Sequence, residues 1–318
     1  MNFLTKQGLP SITPASFLIA GGDLRQVYLC KMLKVIGFDV TVTGFDSHIN
    51  FYDADVIDPR LLRTKSFNCM ILPLPVSIDG ITLNTPLCKN SVSLSALTEM
   101  VKDGGIVFGG KFSPDVKDMF QMPNITVEDY LEREELNVLN AVPTAEGAIG
   151  LAIQELPVTI FGLKVLILGF GRISKVLMKI LRGFGADITV AARKCSDLAW
   201  VETYGCKPRR ITADGKVPIS NYCISDFSGL DEFDLIFNTI PAQVLCRDAL
   251  AKLKADALTI DLASKPGVDF DAARELGLKV IWALSLPHDL LVGKKRNAII
   301  LTHSELRLNR IQYPHRIR

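Results

Sequence analysis

One glycine-containing stretch, Gly169-Phe170-Gly171-Arg172-Ile173-Ser174, has the residue types and spacing of a nucleotide site. It follows the apolar run 164–168 and precedes a segment, 174–184, with helical spacing of apolar residues. Strand, glycine turn and helix in this order are the context that a dinucleotide fingerprint requires. Gly169 permits the tight turn, Gly171 lets the backbone approach a pyrophosphate, and the helix N-terminus attracts the phosphates. Ser174 replaces the third glycine and is small enough for close helix–strand packing. We therefore predict that residues 169–173 contact a cofactor.

The end of the next predicted strand indicates which nicotinamide cofactor is used. An NAD site commonly places an acidic residue about 20 residues past the glycines, where it binds the ribose 2′-hydroxyl. This chain has Arg193 and Lys194 there instead. A guanidinium can bind a 2′-phosphate with paired hydrogen bonds, whereas a carboxylate would repel it. The two residues therefore predict NADP, the alternative being a solvated basic strand end.

Two later strand ends carry further candidates, because ligands of open α/β sheets lie beyond the carboxyl ends of the strands. Asn238 and Thr239, followed by Ile240 and Pro241, end one strand, and we expect them to contact the nicotinamide ribose. A plain turn before proline explains the same residues equally well. The next strand is followed by Ala263, Ser264 and Lys265. Ala263 is a predicted cofactor contact and Ser264 a substrate contact. Lys265 is either a catalytic cation or an ordinary surface lysine.

Candidates for substrate binding and proton transfer lie in the first half and at its end. Arg25 follows the turn Gly21-Gly22-Asp23, whose acid argues against a bound pyrophosphate, and it could bind a carboxylate at a helix start. Lys111 is a second cation at a loop position. Asn140 and Thr144 are expected at a domain junction, where ligands often bind. Glu146 is the candidate general base, a role for which burial must raise its pKa.

The amino-acid composition limits the classes of protein to which this chain can belong. The chain has 318 residues, 48% of them hydrophobic, and a formal net charge of +2. These values predict a well-packed globular protein without the basic field that nucleic-acid binding favours. We identify no signal peptide, no membrane span and no cluster of histidines and cysteines spaced for a metal. The seven cysteines are scattered, and we expect reduced thiols.

The chain alternates between predicted strands and helices in both halves, which predicts parallel sheets with helices on both faces. We expect two Rossmann-like domains of this α/β class. Residues 1–143 would form a substrate domain, which the C-terminal segment 288–318 would complete, and residues 144–287 would form the NADP-binding domain. Pro143 is predicted to begin a helix at the boundary, since proline is favoured in the first helical turn.

Taken together, these motifs resemble the dipicolinate synthase A subunit family, the dehydrogenase-like subunit made during bacterial sporulation. The matching stretches, which span about residues 16–287, are Gly21-Gly22-Asp23 with Arg25-Gln26, Asn140 to Ala148, Leu168 to Arg172, Ala191 to Lys194, Phe237 to Ala242, and Ile260 to Pro266. Single motifs among them are shared with alanine dehydrogenase-like and shikimate dehydrogenase-like enzymes, whereas the combination is specific.

The resemblance implies NADP-dependent oxidation of a dihydrodipicolinate-type precursor, derived from the lysine pathway, to pyridine-2,6-dicarboxylate. It also implies a partner, the dipicolinate synthase B subunit, and a place in the cytoplasm of the sporulating mother cell. A homo-oligomer is expected as well. After Leu286-Pro287 the sequence departs from the family, and beyond Glu305 it contains no acidic residue. We expect this basic end to be exposed and disordered.

Two alternatives to this function stay open. Another NAD(P)-dependent amino- or hydroxy-acid dehydrogenase would have the same fold and the same glycine turn. A non-catalytic NADP-binding subunit, whose partner performs the chemistry, would account for the shortage of recognisable acid–base groups.

Overall fold

A computed structural model describes residues 16–51, 54–58, 65–211 and 228–283 of the chain. The described residues divide into two compact units, the first ending at Asn137 and the second beginning at Val138. The boundary predicted after residue 143 lies a few residues further along the same helix. The C-terminal segment 288–318, which we expected to complete the first domain, lies outside the described residues.

The first unit is built around six parallel strands. In chain order its elements are β1 (Ser16–Ala20), α1 (Leu24–Ile36), β2 (Asp39–Thr43), β3 (Asp55–Val56), β4 (Phe67–Ile71), α2 (Leu94–Thr98), β5 (Val101–Gly109), α3 (Pro114–Phe120) and β6 (Thr126–Asp129). A single 3-10 turn, Tyr130–Glu132, then leads to the long helix α4 (Glu134–Glu155).

The second unit repeats this plan more regularly. Its elements are β7 (Lys164–Leu168), α5 (Arg172–Gly183), β8 (Asp187–Ala192), α6 (Cys195–Thr203), β9 (Lys207–Arg210), β10 (Leu235–Asn238), α7 (Arg247–Leu250), β11 (Leu258–Asp261), α8 (Phe270–Glu275) and β12 (Lys279–Trp282). A 3-10 turn, Leu230–Glu232, precedes β10.

Both sheets have the strand order of a Rossmann fold. The first runs β3-β2-β1-β4-β5-β6 and the second β12-β11-β10-β7-β8-β9, and the strand pairs are parallel. In each sheet the order reverses between the first and the fourth strand of the unit. The crevice beyond the carboxyl ends of these two strands is where such folds bind ligands. The predicted class of two Rossmann-like domains is confirmed.

Buried apolar side chains on both faces of each sheet explain why these strands form. The residues of β7 and β10 are almost fully buried apart from Lys164, as expected for central strands of a parallel sheet. Leu177, Met178 and Leu181 of α5 pack on one face of the second sheet. This packing places the turn between β7 and α5 on a rigid base.

Helix α4 corrects the predicted helix start at Pro143. The helix runs without a break from Glu134 to Glu155 and contains Pro143 in its interior. A proline there removes one backbone hydrogen bond and costs about 3 kcal/mol in an isolated helix. Burial offsets this cost, because Leu136 packs in the core of the first unit and Ile149 in that of the second. Tertiary packing thus overrides the local signal.

By length and composition alone, α4 is also apolar enough to cross a membrane, and 39% of the relevant window is buried. Its small apolar residues Ala145, Ala148 and Ala152 are fully buried in the core of the second unit. Core packing therefore accounts for the buried apolar residues of this helix, whereas Val138, Leu139 and Ile153 are exposed.

The expectation of reduced thiols is met at five of the described cysteines, which are Cys30, Cys69, Cys88, Cys195 and Cys206. Cys246 is disulfide-bonded, so the expectation is wrong at that residue.

Candidate dinucleotide-binding site

The turn after β7 requires a glycine at its first position because of its backbone conformation and its contact with Thr239. Gly169 has a φ of +99°, and a Cβ atom there would lie 2.5 Å from Oγ1 of Thr239. Its amide donates to the carbonyl of Ala191 at 2.8 Å, which joins the turn to the neighbouring strand β8. The fold itself therefore excludes any larger residue at this position.

Gly171 differs, because nothing in the described protein demands a glycine there. Its φ is −87°, and a Cβ atom would meet no heavy atom within 4 Å. Gly171 is the N-cap of α5, and no side chain caps this helix. The first helical bond runs from the Lys175 amide to the Gly171 carbonyl at 3.1 Å. The preceding amides of the first turn can therefore receive an anion that approaches over Gly171.

Ser174 and Thr239 join the turn to the strand on the other side of the switch point. Ser174 is fully buried, and its Oγ lies 2.9 Å from Oγ1 of Thr239. Thr239 donates this hydroxyl to the Leu168 carbonyl at 2.8 Å, so Ser174 is the donor within the pair. The small residue predicted for close helix–strand packing thus also makes a polar link between α5 and the end of β10.

The remaining residues of the turn and of the loop after β10 differ in their exposure to solvent. Phe170 is half-buried, and the Lys175 Nζ atom lies 4.9 Å from its ring centre. Arg172 is exposed at the first position of α5, whereas Ile173 packs against the core. Ile240 is half-buried, and Pro241 is exposed beyond β10.

In the corresponding turn of the first unit, other groups of the protein already bind the backbone amides. The Gly22 amide donates to the Asn84 carbonyl at 2.9 Å, and a Cβ on Gly21 would lie 2.9 Å from the same oxygen. Asp23 caps α1 with its side chain in a capping box with Gln26. A backbone carbonyl and a carboxylate thus fill the places that a pyrophosphate would need, in agreement with the prediction made from Asp23.

Arg25 is held by this same acid. Its guanidinium forms a forked pair with Asp23, at 2.8 Å from Nε to Oδ1 and 2.6 Å from Nη2 to Oδ2, and Nη2 also donates to the Leu74 carbonyl at 3.3 Å. Burial alone would lower the pKa of Arg25, but the hydrogen bond and charge of Asp23 outweigh it and raise that pKa. A substrate carboxylate at Arg25 would therefore add to an existing ion pair.

Tyr130 lies at the same edge of the first sheet and was not predicted as a site residue. Its ring covers Gly110, where a Cβ would come within 2.5 Å of the ring, and its hydroxyl donates weakly to the Leu72 carbonyl at 3.4 Å. Lys111, the predicted second cation, follows with a φ of +57° and is exposed. Tyr130 is the first residue after β6, at the end of a strand. It was not identified from the sequence because β6 has a mixed polar sequence and was not recognised as a strand.

Asn238 lies in a buried network instead of at the surface. Its Nδ2 atom donates to Oδ1 of Asp261 at 2.8 Å and to the Ile240 carbonyl at 3.1 Å, and its side chain is fully buried. Asp261 accepts the amides of Ala263 at 3.1 Å and Gly267 at 2.7 Å. Burial raises the pKa of Asp261, although these hydrogen bonds oppose the shift. These hydrogen bonds give Asn238 a role in positioning the loop after β11.

This network fixes the loop that carries Ser264 and Lys265. Both residues are exposed beyond β11, between the two amides that Asp261 anchors. The Ala263 carbonyl accepts a hydrogen bond from Trp282 Nε1 at 3.0 Å. The sequence did not predict that Asp261 and Gly267 anchor this loop. The available signal was an acidic residue at the end of a strand, followed by a glycine.

The residues predicted at the domain junction all lie on α4. Thr144 donates its hydroxyl to the Asn140 carbonyl at 2.9 Å, a bond within the helix. Glu146 is exposed. The burial that a general base at this position needs is therefore absent.

Arg193 and Lys194 lie directly after β8 and are exposed. Because the strands of the second sheet are parallel, these two residues, the glycine turn and the loops after β10 and β11 share one sheet edge. The structure thus brings together the predicted cofactor contacts of the second unit. It places Arg25 and Lys111 at the corresponding edge of the first sheet.

Fold and site define a two-domain Rossmann protein in which one unit keeps an open dinucleotide turn. Residues 16–131 match the model of the N-terminal domain of the dipicolinate synthase A subunit. The dipicolinate synthase A subunit of Bacillus subtilis (strain 168) is 27% identical over 279 residues, which cover 87% of this chain and 90% of that protein.

Two crystal structures agree with this match. The dipicolinate synthase A subunit from Bacillus halodurans superposes with a TM-score of 0.78 at 27% identity, covering 93% of this chain and 98% of that one. The corresponding crystal structure from Bacillus subtilis gives 0.75 at 26% identity, with 95% and 98% covered. The resemblance seen in the sequence is confirmed, since the chain is similar to dipicolinate synthase A subunits over most of its length.

Replacement of Gly267 by alanine tests the buried network. A Cβ there would lie 2.0 Å from Nδ2 of Asn238 and 2.9 Å from the Ile240 carbonyl. We expect Gly267→Ala to lower the free energy of unfolding by more than about 2 kcal/mol, measured by urea denaturation. Gly150→Ala, on a helix position with nothing within 4 Å, is the control and should stabilise by about 0.5–1 kcal/mol. Equal stability of the two variants would contradict the described network.

The two glycines of the turn make a second test. Gly171→Ala should keep the unfolding free energy within about 1 kcal/mol of the unsubstituted protein. It should weaken dinucleotide binding at least ten-fold, because the added methyl group occupies the approach to the helix N-terminus. Gly169→Ala should lose both stability and binding. Urea denaturation and titration calorimetry with NADP⁺ measure the two quantities, and unchanged NADP⁺ affinity in Gly171→Ala would refute the assignment of the turn.

Proposed function

We propose that this chain is an NADP-dependent oxidoreductase that acts as the A subunit of a dipicolinate synthase. The reaction is the oxidation of a dihydrodipicolinate-type precursor to pyridine-2,6-dicarboxylate during sporulation. The observation that carries the proposal is the open turn at Gly171, followed along the same sheet edge by Arg193 and Lys194, in a chain that is similar to a known A subunit. The corresponding turn of the first unit is filled, so a single dinucleotide site is proposed.

The described residues fit an NADP molecule at this turn. The uncapped first turn of α5 would bind the pyrophosphate, and the space over Gly171 would admit it. Arg193 and Lys194 would bind the 2′-phosphate with charge-assisted hydrogen bonds. Thr239, Ile240 and Ala263 would line the nicotinamide end. Bound NADP⁺ supplies the hydride acceptor of the reaction.

The chain would have to hold a substrate with two carboxylates. Arg25, Lys111 and Lys265 are proposed for this, with Ser264, Asn140 and Thr144 as polar contacts. Aromatisation of a dihydropyridine ring releases a hydride and a proton and supplies driving force, so the main task is orientation. Because Glu146 is exposed, water is an equally suitable acceptor for the released proton.

The proposal includes partners and a location. The dipicolinate synthase B subunit would be the heteromeric partner, and the chain would form a homo-oligomer in the cytoplasm of the mother cell. Neither nucleic acid nor a membrane is proposed as a partner. The relative's name, which describes one component of a synthase, supports the heteromeric part.

A second candidate is a non-catalytic NADP-binding subunit. It is favoured by the exposure of Glu146 and by the pairing of Arg25 with Asp23, which leave no buried acid–base group among the proposed substrate contacts that the structure describes. A third candidate, another NAD(P)-dependent amino- or hydroxy-acid dehydrogenase, is favoured only by the fold.

An activity assay separates these candidates. The chain mixed with dihydrodipicolinate precursor and NADP⁺ should form NADPH and the absorbance of pyridine dicarboxylate in equal amounts. Gly171→Ala should lower both signals at least ten-fold when NADP⁺ is subsaturating. Product formation only after addition of the B subunit, with no NADPH formed by the isolated chain, would support the non-catalytic role. No product under either condition would refute the dipicolinate synthase function.

Cofactor preference gives a separate prediction. Arg193→Gln with Lys194→Gln removes two charge-assisted contacts worth about 1.5–3 kcal/mol each, so NADP⁺ affinity should fall by more than ten-fold. NAD⁺ affinity should change little, because the 2′-hydroxyl needs neither cation. Calorimetric titration with both dinucleotides measures the effect. Equal losses for both would show that these residues do not read the 2′-phosphate.

A further inference from the structure

The edge strand beside Arg193 and Lys194 is unusually basic. Strand β9 has the sequence Lys207-Pro208-Arg209-Arg210 and pairs in parallel with β8. In this register Arg210 lies opposite Ala192, the residue directly before Arg193. Neighbouring strands lie about 4.8 Å apart, so the carboxyl end of β9 adds a further cation next to the two already proposed for the 2′-phosphate.

Two of the three basic residues of β9 have structural roles. Lys207, at the other end of the strand, pairs with Asp187 at 2.6 Å. Arg209 donates its Nη2 to the Ser228 carbonyl at 2.6 Å. Arg210 is exposed, and within the described part of the chain no hydrogen bond or ion pair engages its guanidinium. Successive residues of a strand point to opposite faces, so Arg209 and Arg210 are not equivalent.

The surroundings of Arg210 are otherwise suited to an anion. Lys194 is the N-cap residue of α6, and no side chain caps that helix. Asp197, in the first turn of α6, is the acidic residue nearest in sequence to Lys194. Arg193, Lys194 and Arg210 thus bring three cations to the carboxyl ends of β8 and β9.

Protection of the sheet edge is the simpler explanation of the charges on β9, because charged side chains prevent edge strands from pairing with other chains. That explanation treats Arg209 and Arg210 alike. A ligand role predicts that only Arg210 affects cofactor binding.

We propose that Arg210 is a third cation of the 2′-phosphate site and contributes to the discrimination of NADP from NAD. The inference rests on the proposed NADP dependence and extends it to a residue that lies one strand away from the usual position. The group that these cations would bind is the phosphomonoester on the adenosine ribose of NADP. Adenosine 2′,5′-bisphosphate carries the same group, so it is a sufficient probe.

The test compares Arg210→Gln with the matched control Arg209→Gln in the full chain. Titration calorimetry with NADP⁺, NAD⁺ and adenosine 2′,5′-bisphosphate gives the affinities, and circular dichroism verifies folding. Arg210→Gln should weaken NADP⁺ and the bisphosphate about ten-fold, leave NAD⁺ unchanged, and flatten the salt dependence of NADP⁺ binding. Arg209→Gln should leave all three affinities within about two-fold.

The outcomes distinguish this inference from the function beneath it. If the unsubstituted protein prefers NADP⁺, and the Arg193 and Lys194 substitutions remove the preference while Arg210→Gln does not affect it, only the role of Arg210 is overturned. Equal loss of NADP⁺ and NAD⁺ in Arg210→Gln also overturns it, since a structural effect would act on both. If the unsubstituted protein shows no preference for NADP⁺, both proposals fail.

Discussion

The hydroxyl pair of Ser174 and Thr239 is the contact on which the site depends. Thr239 donates to the Leu168 carbonyl, and Ser174 donates to Thr239, so three segments meet at one point. The same threonine oxygen would lie only 2.5 Å from a Cβ atom on Gly169. Because the contact is polar and buried, breaking it would leave an unsatisfied hydroxyl, which costs about 1–3 kcal/mol. The turn is therefore fixed before any ligand arrives.

The two units show how one fold can serve two purposes. Both have the same strand order and a glycine turn after the first strand. In the second unit α5 begins without a side-chain cap, whereas in the first unit Asp23 caps α1. An uncapped helix start can offer its first-turn amides and its positive dipole end to an anion. In α1 the Asp23 carboxylate already accepts from the Arg25 amide and opposes the positive end of the dipole. The functional difference therefore arises from a few atoms at equivalent positions.

The sequence predicted the central strands well because burial on both faces leaves a clear apolar signal. The apolar runs 164–168, 187–191, 235–238, 258–261 and 279–282 predict five strands. The observed β7, β10, β11 and β12 have these bounds, and β8 is longer by a single residue, Ala192. The short edge strands β3, β6 and β9 were missed, since partly solvated edges carry mixed or charged residues. Pro143 misled the prediction because the packing of Leu136 and Ile149 outweighs a local helix breaker. For the site, the residue types at strand ends predicted which loops carry candidate residues. The sequence did not predict burial, however, and the structure shows that Asn238 is buried whereas Lys265 is exposed.

The way in which the first turn is filled has an evolutionary consequence. The group that occupies the Gly22 amide is the main-chain carbonyl of Asn84, and every residue type carries such a carbonyl. No side-chain replacement at that position can remove it. Removing the acid at Asp23 would leave the turn still closed. A second nucleotide site at this turn would therefore require a shift of the backbone near Leu83 and Asn84, for example through an insertion or deletion. The specialisation of the two units is thus far harder to reverse by point mutation than a change of cofactor in the second unit.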